Sequence, residues 1–170
     1  MEKRNGRLRN QKAVKSEKIM VYISKINDYD IIRKDITECA EYLYNSSLNN
    51  QNFIEKIAKK YYERSYFAEA RYEGILMGVI AFYCNDDVMK EAFLSMIVVK
   101  QEYQKIGVGK KLLLYMESVC QKYGMEKIKL NVAGTNLKAQ SFYVRNGYNI
   151  EKDSDDVRMI KLLNETNGNL

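Results

Sequence analysis

Apolar and polar positions alternate along this chain in two rhythms, one typical of strands and one of helices. Alternation predicts a first strand at 19–26, and Lys25 within it is typical of an edge strand. The turn signal Glu73-Gly74 lies between two apolar runs, which predicts an antiparallel hairpin. The predicted strands after the first are 67–72, 75–83, 92–99, 127–132, 148–152 and 157–163.

Helical spacing of apolar residues predicts four helices between these strands. Asp35 with Glu38 three residues later resembles a capping box, so the first helix is predicted to open there and to end near 45–50. The others are predicted at 52–64, at 108–123 ending at Gly124, and at 136–145 ending at Asn146-Gly147. This order of elements implies a mixed sheet with helices packed on it.

Composition bounds the class of protein. The 170 residues fit one domain, 46% of them are apolar, and no stretch approaches the roughly 20 apolar residues of a membrane helix. The net charge of +6 is concentrated in residues 1–18, where seven lysines and arginines stand against two glutamates. We expect this segment to be a disordered basic tail, residues 19–163 to form the domain, and 164–170 to be a polar end. A solvated leader is the simpler interpretation of the tail, and nonspecific contact with nucleic acid or anionic lipid is the alternative.

Two residue types narrow the chemistry. Histidine is absent, which excludes catalysis by imidazole and removes the commonest metal ligand. The three cysteines, Cys39, Cys84 and Cys120, are odd in number and far apart in sequence. This favours reduced thiols in a cytoplasmic protein over a disulfide framework or a metal cluster. No secretory signal is recognisable, and no metal site is expected.

The segment Gln104-Lys105-Ile106-Gly107-Val108-Gly109 follows an apolar strand and opens an amphipathic helix. Such a junction gathers unpaired backbone N–H groups and the positive end of a helix dipole around one point. Glycine at 107 and 109 would let the backbone approach a ligand closely. The segment therefore predicts a site for a phosphate or pyrophosphate group.

A second motif lies downstream, Asn136-x-x-Ala139-x-x-Phe142-Tyr143-x-x-x-Gly147-Tyr148. With the glycine loop, and in this order of elements, it resembles the GNAT superfamily of acetyl-CoA-dependent N-acetyltransferases. The resemblance implies an α+β fold with a mixed, mostly antiparallel sheet of six to seven strands flanked by about four helices. It is strongest over residues 94–148 and weak before Tyr66, where acceptor-binding elements of that family diverge.

The resemblance also implies roles for individual residues. The strand before the loop would splay from its neighbour and pair with the pantetheine arm, the loop amides would hold the pyrophosphate, and a tyrosine would protonate the departing thiolate. The positions that match are Ile97, Val98 and Val99 for pantetheine, Gln104, Lys105, Ile106, Gly107, Val108, Gly109 and Lys110 for pyrophosphate, Asn136 for the cofactor cleft, and Tyr143 for the general acid. The alternatives are a core tyrosine at 143 and a simple helix cap at 136.

The general base of the family has no clear counterpart. The two positions that often carry a carboxylate there are Phe93 and Asn131 in this chain. Glu91 lies two residues before Phe93 and so on the same face of a regular strand, which makes it the tentative base. The missing carboxylate puts acetylation of protein N-termini in doubt and favours other amines.

The prediction for function is transfer of an acetyl group from acetyl-CoA directly to a primary amine, such as a small amine, an amino sugar or a side-chain amine. No metal and no covalent enzyme intermediate are expected. The alternatives are a non-catalytic acyl-CoA-binding or sensing module of the same fold and a protein N-terminal acetyltransferase. The acceptor would be a small molecule or a peptide, no membrane insertion is expected, and the oligomeric state, a homodimer included, is left open.

Overall fold

A computed structural model describes residues 21–43, 50–152 and 155–163. The basic segment 1–18 and the polar end 164–170 lie outside the described residues. The strands are β1 (Tyr22–Ile26), β2 (Tyr66–Tyr72), β3 (Ile75–Asp86), β4 (Glu91–Val99), β5 (Lys127–Ala133), β6 (Asn149–Lys152) and β7 (Asp156–Leu162). The α-helices are α1 (Tyr29–Cys39), α2 (Gln51–Arg64), α3 (Val108–Lys122) and α4 (Leu137–Arg145).

The strands form one seven-stranded sheet in the order β1-β2-β3-β4-β5-β7-β6. Every neighbouring pair is antiparallel except β4 and β5, which are parallel. The mixed, mostly antiparallel sheet predicted from the sequence is therefore confirmed, as is the edge position of β1. The segment after β4 returns through α3 to start β5 in parallel, a connection that needs a crossover helix.

The helices divide between the two faces of the sheet. Residues of α1 and α2 pack with Phe67, Val79 and Val98 in one buried cluster, which we call the α1/α2 face. Residues of α3 and α4 pack with the opposite side chains of the sheet in a second, larger cluster, the α3/α4 face. Two separate apolar layers enclose the sheet, so a residue's parity on a strand decides which helices it meets.

The start of the first helix differs from the prediction. Asp28, not Asp35, is the N-cap of α1, because its Oδ1 accepts a hydrogen bond from the amide of Ile31 at 3.0 Å. Asp35 lies in the middle of the helix and is fully buried. The capping-box pattern was wrong here because an aspartate on the sheet-facing side of a helix can be paired through tertiary contacts, which the local sequence does not reveal.

The other caps follow the sequence closely. Asn50 caps α2 through the amide of Asn52 at 2.8 Å, and Asn136 caps α4 through the amide of Ala139 at 3.1 Å. Gly124 directly follows the last turn of α3 and takes φ 73°, a left-handed conformation that favours glycine. Asn50 and Asn136 thus fix where α2 and α4 begin, and Gly124 marks where α3 ends.

Candidate active site

Strands β4 and β5 separate partway along their length. They pair only from Glu91 and Lys127 to Leu94 and Leu130, although β4 continues to Val99 and β5 to Ala133. Beyond Leu94 the two strands diverge, and each keeps its other neighbour. The divergence leaves a wedge-shaped opening in the sheet, which we call the splay, with unpaired strand backbone along its edges.

A β-bulge in β4 marks the point where the splay opens. In the register with β3, Ala81 faces Met96 and Phe82 faces Leu94, so Ser95 has no partner. The extra residue reverses the parity of the strand: Leu94 belongs to the α3/α4 cluster and Met96 to the α1/α2 cluster. Bulges re-aim side chains and bend a strand, and this one turns β4 away from β5.

The backbone of the predicted pantetheine strand presents only some of its groups to the splay. The Lys100 amide donates to the carbonyl of Met77 in β3 at 3.0 Å. Because donors alternate along an antiparallel strand, the polar groups of Val98 also face β3, while those of Ile97 and Val99 face the splay. The Val98 side chain is buried on the α1/α2 face. Of the three residues predicted there, Val98 is therefore turned away from the opening.

The glycine loop lies at the open end of the splay. Lys105 and Gly107 both have positive φ, 65° and 94°, so the chain winds into a compact turn before α3. None of the amides of residues 105–110 makes a backbone hydrogen bond of ordinary geometry to the described residues, and no side chain caps α3. A Cβ at Gly107 would meet open space. The loop therefore exposes a concave row of N–H donors at a helix N-terminus, an arrangement suited to an anion.

Gly109 also has a packing role, which the sequence did not predict. A Cβ there would lie 3.1 Å from the Phe142 ring and 3.6 Å from the Val99 side chain. A side chain is therefore disfavoured at this position by the packing of α3 against α4 and the end of β4, and the contact of the Gly109 amide with a pyrophosphate stays a prediction. The same contact places the second sequence motif, which contains Phe142, directly against the first.

The Gln104 side chain fixes the loop on both sides. Its Nε2 donates to the carbonyl of Val99 at 2.9 Å, and its Oε1 accepts from Lys138 Nζ of α4 at 2.7 Å. Both ends of this amide are thus engaged with protein. Gln104 orients the strand end and the loop, and it takes up one of the carbonyls that would otherwise face the splay.

Tyr143 is the second of two adjacent aromatic residues on α4. Its ring lies between those of Phe142 and Tyr148, with centroid separations of 5.4 and 5.6 Å, and only 8% of the residue is exposed. Burial raises the pKa of the Tyr143 phenol, so it keeps its proton at neutral pH. The Tyr148 hydroxyl is buried and has no hydrogen-bond partner within the described ranges. Burial of the Tyr143 ring is expected of a core tyrosine and of a proton donor alike, so the role of general acid stays a prediction.

The tentative base does not lie at the opening. Glu91 is at the paired end of β4, four residues or roughly 13 Å of strand before Ser95. Its carboxylate lies 3.1 Å from the Lys129 ammonium and 3.5 Å from that of Lys127. Glu91 is therefore part of a surface charge cluster, and its position does not support the role of base.

Two buried carboxyl groups, those of Asp35 in α1 and Glu69 in β2, lie between the helix and the sheet. Arg71 of β2 contacts Asp35 at 2.9 Å and Glu69 at 2.8 Å. Burial, followed by the hydrogen bond and the charge of Glu69, raises the pKa of Asp35 from 3.8 to about 7. Burial alone would raise the pKa of Glu69 as well, but hydrogen bonds from Arg71 and Asp35 hold it below its usual value. Glu69 is thus fixed in an ion pair and is not a free base for the splay.

Comparison with known proteins assigns this arrangement. A model of the Acetyltransferase (GNAT) family matches residues 29–148. The chain belongs to the GNAT acetyltransferase family. Its GNAT match spans the splay, the glycine loop and Tyr143, and the chain is accordingly a GNAT-family N-acetyltransferase. The predicted enzyme class and fold are confirmed.

Two relatives indicate the range of chemistry near this GNAT enzyme. It is 29% identical over 113 residues to a 5-NmdU N-acetyltransferase of Pseudomonas phage PaMx11, covering 65% of this chain and 75% of that protein. It is 35% identical over 75 residues to a spermidine N(1)-acetyltransferase of Thermoplasma acidophilum. That second match covers 44% of this chain and 47% of the relative.

Solved structures share the fold of the enzyme. The PaiA N-acetyltransferase of Thermoplasma acidophilum, in complex with coenzyme A, matches with a TM-score of 0.62 and 22% identity over 85% of this chain and 99% of that one. The ribosomal-protein-S18-alanine N-acetyltransferase of Escherichia coli matches with a TM-score of 0.67 and 21% identity over 89% and 99%. No helix in the described ranges has both the length and the apolar content to span a membrane.

Sequence reasoning predicted the loop, the tyrosine and the strand as parts of the site, but it did not predict the contact between Ser95 and Tyr61. Ser95 was visible as a hydroxyl interrupting an apolar run, and Tyr61 as one of three apolar positions on α2. The sequence does not reveal that the two hydroxyls lie 3.0 Å apart at the bulge, because the contact joins a helix and a strand that are distant in sequence.

Proposed function

We propose that this enzyme transfers an acetyl group from acetyl-CoA to the primary amine of a small molecule or of a side chain. One observation carries the proposal: the unpaired amides of residues 105–110 lie at the open end of the splay, beside the Ile97 backbone and the Val99 amide, which have no strand partner among the described residues. The loop suits a diphosphate, and the strand edge suits an amide-containing arm.

The residues present fit coenzyme A. The loop amides and the N-terminus of α3 would hold the pyrophosphate, with Gly107 allowing the left-handed turn that gathers them. The backbone of Ile97 and the amide of Val99 would pair with pantetheine, since the Val99 carbonyl already accepts from Gln104. The Asn136 side-chain oxygen accepts the cap bond of α4, and its NH2 group would donate the hydrogen bond predicted for this residue in the cofactor cleft. Bound acetyl-CoA would supply the acetyl thioester on which the amine acts.

The residues of the chain would orient the reaction and move one proton. Strand amides facing the splay would donate hydrogen bonds to the carbonyl oxygen as it gains negative charge. The Tyr143 hydroxyl would deliver its proton to the leaving sulfur, because burial keeps the phenol protonated. The buried rings around Tyr143 would exclude water from the leaving group.

A small-molecule or side-chain amine is the acceptor class with most support. Both relatives carry N-acetyltransferase names, one for spermidine and one for 5-NmdU. Neither Phe93 nor Asn131 can accept a proton, so the amine would have to arrive neutral or lose its proton to water. A primary amine with a lowered pKa, or one acetylated at alkaline pH, best meets that condition.

Two measurements test the proposal. Calorimetry should detect coenzyme A binding, and an acceptor panel with spermidine, glucosamine, lysine and aminomethyl-pyrimidine nucleosides should release free thiol with acetyl-CoA. Gly107→Ala, which forces a Cβ into a left-handed position, should weaken coenzyme A binding. Gly74→Ala is the matched control, because Gly74 has φ 78° and open space around it but lies in the β2–β3 turn. Equal affinity in the two variants would contradict the assignment of the loop.

A further inference from the structure

The first β4 residue in the splay carries a hydroxyl. Leu94 is the last residue of β4 that pairs with β5, and Ser95, which follows it, is the bulge residue without a partner on β3. Neither neighbouring strand fixes the position of Ser95. Its direction is set instead by a contact with a helix.

That contact comes from the face opposite Tyr143. The Tyr61 hydroxyl of α2 lies 3.0 Å from Ser95 Oγ, and only 2% of Tyr61 is exposed. Tyr61 belongs to the α1/α2 cluster, whereas Tyr143 belongs to the α3/α4 cluster. A second phenol on the α1/α2 face, that of Tyr83, is buried without a hydrogen-bond partner among the described residues. Polar hydroxyls thus gather on the side of the splay away from the proton donor.

We propose that Ser95, held by Tyr61, positions the acceptor amine on the α1/α2 side of the splay. This inference rests on the proposed function. With Tyr143 on the opposite side to protonate the sulfur, the nucleophile must arrive from the other face. There Ser95 Oγ accepts an N–H of the amine and directs the nitrogen lone pair at the thioester carbonyl.

The two hydroxyls orient the amine and gain no net charge. Burial raises the pKa of Tyr61 to about 12, although the hydrogen bond with Ser95 opposes the shift, so Tyr61 stays neutral. The nitrogen forms a bond to the acetyl carbon as the carbon–sulfur bond breaks. The proton of the nitrogen passes to water, and the sulfur receives one from Tyr143, which recovers its proton from solvent. Positioning by neutral hydroxyls suits an enzyme with no carboxylate at Phe93 or Asn131.

The variants Ser95→Ala and Tyr61→Phe test this role with spermidine as acceptor and acetyl-CoA as donor. We expect Ser95→Ala to lower kcat/KM for spermidine about 3- to 10-fold, the effect of one neutral hydrogen bond, while KM for acetyl-CoA changes less than about twofold. Tyr61→Phe should give a smaller loss, and Ser95→Thr should restore most of the rate. Ser65→Ala is the control, since Ser65 Oγ also bonds to Tyr61 but through its main-chain carbonyl at 2.9 Å.

The pH profile separates positioning from proton abstraction. With Ser95 as a positioning residue, kcat/KM should rise with pH along the titration of the acceptor amine, in the wild type and in Ser95→Ala alike. Unchanged acceptor kcat/KM in Ser95→Ala would overturn the inference and leave the proposed function standing. A wild-type chain that binds coenzyme A but acetylates no amine of the panel would overturn both.

A separate observation concerns two thiols on the α3/α4 face of the sheet. Cys84 of β3 and Cys120 of α3 lie with their sulfur atoms 2.9 Å apart. Cys84 is partly exposed, whereas Cys120 is buried. A disulfide needs about 2.05 Å, so a movement of less than about 1 Å would join them. The sequence separation that argued against a disulfide is thus closed by the fold.

We infer that Cys84 and Cys120 form a disulfide on exposure to hydrogen peroxide. The Cys84 thiolate attacks a peroxide oxygen, the O–O bond breaks, and the sulfur becomes a sulfenic acid. The hydroxide released takes up the proton that the Cys84 thiol lost and leaves as water. The Cys120 sulfur then attacks the Cys84 sulfur, the S–O bond breaks, and a second water leaves with the Cys120 proton. The hydrogen bond from Cys120 lowers the pKa of Cys84, which favours Cys84 as the attacking thiol.

Peptide mapping after treatment of the full chain with hydrogen peroxide tests this pair. We expect a cross-linked peptide containing Cys84 and Cys120, reversed by dithiothreitol, and the same product in Cys39→Ser. In Cys120→Ser, dimedone should trap a sulfenic acid at Cys84. A treated chain in which Cys84 and Cys120 remain separate, or in which Cys39 is oxidised first, would overturn the inference.

Discussion

Replacing Asp35 by asparagine should make the protein more stable at pH 8 and leave it nearly unchanged near pH 4. Asp35 is fully buried, and its pKa is raised from 3.8 to about 7. Below pH 7 the native protein keeps a proton on this carboxyl, and asparagine is its neutral isostere. The amide can donate to Glu69 as the protonated carboxyl does.

The sign and size follow from proton linkage. Between about pH 4 and pH 7 the native state holds a proton at Asp35 that the unfolded chain has released, so stability falls as pH rises. A shift of about 3 pH units at ~1.4 kcal/mol each gives an upper bound on the order of 4 kcal/mol between pH 4 and pH 8. Glu69, whose pKa is lowered from 4.5, acts with the opposite sign, but only below that pH.

Urea unfolding of wild type and Asp35→Asn at pH 4.5, 5.5, 6.5 and 7.5 measures the effect. The wild type should lose stability relative to the variant with each step, and the two should converge at the acid end. Asp30→Asn, an exposed change on the same helix where Asp30 lies 3.8 Å from Arg33, is the control and should run parallel to the wild type. A difference between wild type and Asp35→Asn that is constant over this range would refute the protonated-carboxyl reasoning.

Four further substitutions follow from the packing and the chemistry of the site. Tyr143→Phe should lower kcat about 10²- to 10⁴-fold with coenzyme A affinity unchanged by calorimetry, while Tyr148→Phe, which removes a sealed and unpartnered hydroxyl, should keep full turnover and equal or slightly higher stability. Gly109→Ala should cost up to ~2 kcal/mol in urea unfolding, because a clash of ~1–3 kcal/mol with the ring of Phe142 outweighs the ~1 kcal/mol that alanine gains in a helix. Gly78→Ala should lower the free energy of unfolding more than Gly109→Ala does, because its Cβ would meet strand backbone, which moves less easily than a ring. The reverse order of the two losses would contradict this packing account.

The sequence predicted those parts of the fold that local signals determine. The hairpin at Glu73-Gly74, the end of α3 at Gly124 and the cap at Asn136 all depend on residues within one turn of the feature they specify. The glycine loop was predicted from its own residues, and the family resemblance added the role of Tyr143. The roles of those residues in binding and catalysis stay predictions.

Features that depend on distant contacts were not readable. Asp35 looks like a helix cap until Arg71, on a strand two elements later, is brought beside it. The packing of Gly109 against Phe142 becomes visible only when α4 is placed beside α3. The bulge at Ser95 has no local sequence signature, because it arises where β4 must follow β3 and leave β5 at once.

The two parts of the sheet are joined only by the short ladder between β4 and β5. Strands β1 to β4 form one half-sheet and β5 to β7 the other, and the main-chain bonds that join them end at Leu94 and Leu130. A molecule lying in the splay therefore acts as a missing strand that ties the halves together. Amide protons along β4 beyond Leu94 and along β5 beyond Leu130 should then exchange with deuterium more slowly when coenzyme A is bound, so that the enzyme is stiffest when it is loaded.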